Sequence, residues 1–443
     1  MSFIERSAGF PPAGTPAWPL CRPPAWRGGA APAPTVPPGQ YWWHTDAVFA
    51  LAFPDLRFMR GGAELSADTL LSVTRSSPII LPDAAGIYQS LANDTLPGTD
   101  RGLYANGQSS RLNTGPNFNP STASDFTSRN SAALDIVARG SWPAPVEAAF
   151  TASPLCNLAV TSALRVTCPG AAVNEGVTFP GQLPGNTNGI ASAFVFVESG
   201  AKPLIGLSAT AQVLSGAEVL DNFERTVNPV ASSSNRVMAI ATNHNVAAAA
   251  SIFWVILQDL KAGTFATPPV AHPDTTLLAS DIRAVQGSRP SNDQPEPFPG
   301  WEAAGLDAGF AILADFENRV RGVNSRRLFQ LSGGTDVIVG TVPDGTSLRL
   351  EVGGVSSGTT APGGQTGGRS RMCARIFPDG NVAIGQKGSG DLVTALRDPL
   401  TMTHSAFHIG NVSTLTAPWR DWIYELQICT PLSDAQLLEW VNA

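Results

Sequence analysis

The chain has 443 residues, enough for two or three domains, each with its own core. Only 14% of residues are charged, against roughly 25% in an ordinary soluble domain, and small or turn-forming residues, among them 43 Gly and 37 Pro, take their place. That composition excludes a helical enzyme, and the net charge of −7, without any basic run, argues against a nucleic-acid partner.

Residues 1–60 are expected to form a Pro-rich extended arm. The stretch "GFPPAGTPAWPLCRPPAWRGGAAPAPTVPPG" can make neither a helix nor a central strand. No basic segment followed by an apolar core opens the chain, so no secretory signal is expected. The longest apolar run, residues 246–257, is too short for a bilayer, so no membrane insertion is expected. The arm carries Trp18, Trp26, Trp42 and Trp43, which so proline-rich a segment cannot bury by itself. It is expected to order only against other subunits and to anchor the chain in an assembly, the alternative being a solvated linker. Phe49, Leu51 and Phe53 alternate as in a strand that Pro54 ends, and His44 beside two tryptophans suits packing better than metal binding.

Residues 61–127 hold short alternating pieces cut by Pro and Gly, expected as a small β-rich anchoring block. Residues 128–275 contain seven short apolar runs bounded by turn residues, which predicts a two-sheet antiparallel sandwich or jelly roll. Cys156 and Cys168 could face each other across a hairpin, but five cysteines with no CxxC pair favour free thiols over a disulfide framework or a zinc site. Residues 276–300 read as a linker, stiffened by Pro290, Pro295, Pro297 and Pro299, that would hold two domains apart.

Residues 301–443 give a second strand set closed by "LSDAQLLEWV", a helix that Ser433 can cap while Gln436 reaches back. In "APWRDWIYE", Trp419, Arg420 and Asp421 lie before a strand whose Trp422 and Tyr424 share one face and are assigned to the core. Trp419 could stack on the apolar face of a sugar while Arg420 and Asp421 bond its hydroxyls, or it could cover a sandwich edge. Trp142, in the turn "RGSWPAP", is the second glycan candidate, with the same alternative.

Catalytic motifs are missing: no GxSxG, HExxH, Walker A or GxGxxG in a βαβ setting occurs. His404 and His408 are four apart, but "AFHIG" reads as a strand, so they do not form a helical metal pair. Asp315, Glu317, Glu351 and Glu425 all lie on predicted strands, where the simplest role is outward-facing polar residue, although two of them could serve glycoside hydrolysis. No enzyme activity, cofactor or metal is expected.

Three blocks carry a resemblance. Residues 70–113, with Thr74-Arg75-Ser76-Ser77, Arg101-Gly102-Leu103 and Ser110-Arg111-Leu112-Asn113, look like the opening block of a family of phage and prophage virion proteins, though the last four residues depart from its Arg-Thr-Asn-like ending. "LQDLKAGTFAT" is similar to the last strand of the carbohydrate-binding-module-like jelly roll in that family. "ARIFPDGNVAIGQKG", "AFHIGN", "WIYELQIC" and "LSDAQLLEWV" resemble the end of a concanavalin A-like, laminin-G-like domain. The resemblance implies an all-β protein: two antiparallel sandwich or jelly-roll domains in tandem after the arm, with the helix over the sandwich edge. It implies a fibre- or spike-type part of a bacteriophage or gene-transfer-agent virion. Other virion proteins and a host-surface glycan would be its partners, the last domain would face the host, and a homotrimer is expected. A decoration or adaptor protein without glycan binding, and a secreted carbohydrate-active protein, are the alternatives.

Overall fold

The computed structural model describes residues 43–443 except 76, 106–108, 209–212, 243–247, 264–265, 272–275, 278–280, 285–303, 318–325, 343–346, 361–367, 389, 412–418 and 420. The fold is all-β, and the described chain divides into two compact units. One is built from Ser77–Ala92 and Ser109–Leu277, the other from residues 43–76, Asn93–Gln108 and Leu278–Ala443.

The second unit is an antiparallel sandwich of a ten-stranded and a seven-stranded sheet. At the centre of the ten-stranded sheet, Phe310–Glu317 pairs with Arg369–Ile376 on one side and Trp422–Cys429 on the other. Alternation decides which faces meet: Phe310, Ile312, Ala314 and Phe316 point inward against Leu348, Leu350 and Val352 of the opposite sheet. Residues 1–60 are not simply an arm. Ala47–Ala52 pairs with Trp422–Cys429 and then with Arg57–Arg60, so Phe49, Leu51, Phe53 and Phe58 lie in this core. Trp43 packs against the same unit, whereas Trp18, Trp26 and Trp42 lie outside the described residues. The apolar alternation that marked a strand is satisfied within the chain, not by another subunit.

Two more boundaries need correction. Residues 61–127 are not a separate block: Leu71–Thr74 and Gly102–Tyr104 join the sheets of the second unit, while Ile79–Pro82 and Tyr88–Leu91 form a hairpin in the first. Nor is 276–300 wholly a linker, because Asp281–Ala284 is an inner strand between Leu71–Thr74 and Ala406–Ile409. The four prolines lie outside the described residues.

The first unit is a sandwich of two five-stranded antiparallel sheets. Val177, Phe179, Ile205, Met238 and Ile240 of one sheet meet Leu164, Val166, Ala193, Val195 and Val255 of the other. A second apolar layer covers the outer face of one sheet, where helix Ala144–Ala152 sets Val146 and Phe150 against Phe194, Trp254 and Ile256.

The terminal helix Asp434–Asn442 has the expected capping box, with Gln436 N–H donating to Ser433 Oγ and Ser433 N–H to Gln436 Oε1. Its position differs from the expected edge. Leu437 and Val441 are buried on the outer face of the ten-stranded sheet against Ala311, Leu313, Cys373 and Cys429, and Leu438 is only partly buried. Arg375 secures its start, bonding Leu432 O at 2.8 Å and Asp434 at 2.7 Å.

Candidate functional site

The glycan candidates do not form a sugar platform. Trp419 is 1% exposed, stands edge-on to Phe316 and donates its indole N–H to Glu317 O at 3.0 Å. Trp142 is buried beside Phe150, Phe223 and Trp254, its indole N–H donating to Val137 O. Neither ring can stack on a ligand from there; both are core residues with satisfied polar tips. Asp421 is buried and its Oδ1 accepts from Trp422 N–H, while Arg420 lies outside the described residues. Trp422 and Tyr424 are buried as assigned, but at the polar margin of the sheet rather than in the main core. Cys168 is free and buried, so it does not pair with Cys156; Cys156 is itself disulfide-bonded, against the expectation of free thiols.

Two blocks that carried the family resemblance meet in the first unit. Leu112 N–H donates to Leu260 O, Asn113 Oδ1 accepts from Leu260 N–H, and Asn113 Nδ2 donates to Gln258 O. Asn117 ties Gln258 O to Val270 O. Beside them, buried Lys261 bonds Asp259 at 3.0 Å, Thr267 Oγ1 at 2.7 Å and Pro268 O. Burial pushes the Lys261 pKa down, and Asp259 works against that. The ammonium hydrogen-bonds Thr267 and Pro268 and is paired in charge with Asp259, so "QDLK" fastens two loop segments to its strand and is architecture.

Three of the four carboxylates singled out on strands converge on one face of the ten-stranded sheet. Asp315 accepts a bidentate pair from Arg369 at 2.8 and 2.9 Å and a third bond from Arg371 at 3.2 Å. Arg369 lies over the Tyr424 ring, Tyr424 OH donates to Glu317, and Arg101 reaches Glu317 from above Trp422. Arg371 also stacks on Trp440 of the terminal helix. Glu425, opposite Asp315 in register, accepts from Gln427. Burial first, with Asp315 adding to it, raises the Glu425 pKa to about 7. This network is engaged with its own members and clamps helix and margin to the sheet. Asp315, held by two guanidiniums, is not placed to act as a free nucleophile.

The fourth carboxylate organises a different face. On the outer side of the seven-stranded sheet, Glu351 bonds Arg327 at 2.9 Å and also bonds Arg349. Gly340 lies between the two arginines in register. A Cβ there would meet Arg326 O at 2.0 Å and Arg327 Cδ at 2.9 Å, so glycine lets the Arg327 side chain cross its neighbour strand. The adjacent row carries His408 and Gln330, and Gln330 donates to Asp336. Arg327 Nη1 and Arg349 Nε are buried without a hydrogen-bond partner. Sequence reasoning found Glu351 but not the arginines. The signal was present in the i, i+2 spacing of Arg349 and Glu351, which puts both on one strand face.

No protein-family model matches the chain, and no curated protein is similar to it. Among solved structures, the carbohydrate-binding module CBM40 of Ruminococcus gnavus IT-sialidase overlays with a TM-score of 0.27 at 12% identity, covering 32% of this chain and 88% of that one. Domains LG4-5 of the mouse laminin alpha1 chain give 0.24 at 10% identity, covering 61% and 90%. The tandem CBM22 modules of Paenibacillus barcinonensis Xyn10C give 0.21 at 9%, covering 74% and 98%. Overlays this loose add nothing to the β-sandwich architecture, which rests on the sheets themselves.

Proposed function

We propose that the chain is a non-catalytic, fibre- or spike-type attachment component of a bacteriophage or gene-transfer-agent virion that binds host-surface glycan through the outer face of the seven-stranded sheet. The observation that carries the binding part is the Arg327–Glu351–Arg349 cluster on that face, whose side chains are 15%, 12% and 25% exposed. Sugar hydroxyls and ring substituents are recognised by such fixed polar groups in preformed sites. Support for the virion part is the resemblance of residues 70–113, "LQDLKAGTFAT" and the C-terminal blocks to phage and prophage proteins. Other virion proteins are its partners in this reading, with a homotrimer as the assembled form.

The test is glycan-array binding and host-cell adsorption of the full chain, repeated with Arg349→Ala. Binding that the variant loses supports the proposal; a blank array sinks the glycan part. A decoration or adaptor protein without glycan binding is the second reading. Favouring it is the fact that no Phe, Tyr or Trp among the described residues is exposed, so the stacking platform used by many sugar binders is missing there.

A further inference from the structure

The ten-stranded sheet ends on Val393–Leu396, which pairs with Asn381–Gln386 on one side and with no described strand on the other. Arg397 N–H donates to Gly380 O at 2.8 Å, so in this register Val393 and Ala395 turn their backbone groups to the neighbouring strand. Thr394 and Leu396 turn theirs to the open side, a row of donors and acceptors able to receive another strand. Two other sheet ends in this unit are guarded. Ala63–Leu65, at the far end of the same sheet, carries Glu64 bonded to Arg57, and Val355–Thr359, at the end of the seven-stranded sheet, is interrupted by a bulge. Val393–Leu396 has neither a charge nor a bulge within it. Its margin is also apolar: Leu396 is 76% and Val355 53% exposed, the two highest values for a large apolar side chain among the described residues. Arg397 joins the strands that carry them, donating to Ser357 Oγ at 2.9 Å and to Ser356 O.

This edge complements itself. A two-fold axis through Thr394 sets that residue against Thr394 of a second copy as a hydrogen-bonded pair. Leu392 then falls opposite Leu396 of the second copy on one face, and Asp391 opposite Arg397 of the second copy on the other. Asp391 is exposed and has no ion pair among the described residues, so it is open to that contact. An axis through Leu396 would instead set Asp398 against Thr394 and bring no opposite charges together. We propose that Val393–Leu396 is an interface for a second copy of this chain, which adds antiparallel across the axis through Thr394 and makes the two ten-stranded sheets continuous. The inference rests on neither the glycan nor the virion reading: a two-fold contact pairs chains, and pairs whole trimers where these form.

Sedimentation equilibrium of the full chain over a concentration series tests this. The assembly should contain an even number of chains, and its mass should halve on dilution. Thr394→Pro should halve it at all concentrations, because it removes the central donor. Its melting temperature should stay close to that of the unaltered chain, since proline is tolerated where the N–H faces outward from an edge strand. Leu396→Lys changes only an exposed side chain, should also halve the mass, and covers the case in which the proline variant unfolds. Asp391→Arg should weaken the pairing, and Asp391→Arg combined with Arg397→Asp should restore it. A monomer or an odd-numbered assembly at every concentration overturns the inference. A mass that Thr394→Pro and Leu396→Lys both leave unchanged overturns the assignment to this edge. Pairing that the double exchange fails to restore overturns the axis through Thr394.

Discussion

Glu425 illustrates how far a single residue's chemistry follows from its surroundings. Its carboxyl titrates near 7 instead of 4.5 because burial disfavours the charged form. Between those values the unfolded chain has released this proton and the folded chain still holds it. The linkage slope is therefore negative, and stability falls as pH rises from about 4.5 to about 7. Two and a half pK units correspond to a penalty on the order of 3 kcal/mol above pH 7. Glu425→Gln should remove it, raising the melting temperature at pH 8 while leaving it nearly unchanged at pH 4. A variant less stable at pH 8 would show that the carboxylate is favourably paired after all. Trp419→Ala should behave as a core deletion, costing about 3–5 kcal/mol in chemical denaturation. At this scale the sequence told which carboxylates sit on strands, because alternation is local. It could not tell that Trp419 turns inward, since the Phe316 ring and Glu317 carbonyl that receive it are about a hundred residues away in the chain.

At the level of the element, the terminal helix was legible to the residue through Ser433, Gln436 and the apolar pair Leu437 and Val441. Its seat was legible too, though by a different signal. In "FAILAD" apolar residues fill both faces of the strand, as they must where both are covered. Phe310 and Ile312 serve the sandwich core, and Ala311 and Leu313 serve the helix. An edge-covering helix would have required no such double run. Ser433→Ala should cost about 1 kcal/mol through the lost cap. Removing residues 432–443 should do more, because Cys373 and Cys429 lie under the helix, with burial pushing both thiols up to about 12. Both should resist a thiol reagent in the intact chain and react in the truncated one. Protection that survives truncation would mean the helix is not what covers them.

Across the whole molecule, strand content and antiparallel sandwiches could be read from composition and turn spacing, but the path of the chain could not. Domains were expected in tandem because alternation and proline positions are local signals. The chain instead supplies the second unit from residues 43–76 and Asn93–Gln108 as well as from Leu278 onward, with Ser77–Ala92 given to the first unit between them. Pairing of Ala47–Ala52 with Trp422–Cys429 joins positions almost at opposite ends of the sequence. The physical consequence concerns what can fold alone. A fragment of residues 301–443 lacks Phe49, Leu51, Phe53 and Phe58 and the inner strand Asp281–Ala284, all part of its own core and sheet. Burial of those four side chains alone is worth about 1.5–3 kcal/mol each, a sum comparable with the 5–15 kcal/mol that stabilises a typical domain. The missing inner strand also leaves Ala406–Ile409 with an unpaired edge open to other chains. Residues 301–443 expressed alone should therefore aggregate or show no cooperative melt, whereas residues 43–443 should unfold cooperatively. A sharp, reversible transition in the short fragment would show that the N-terminal strands only decorate a sandwich complete without them.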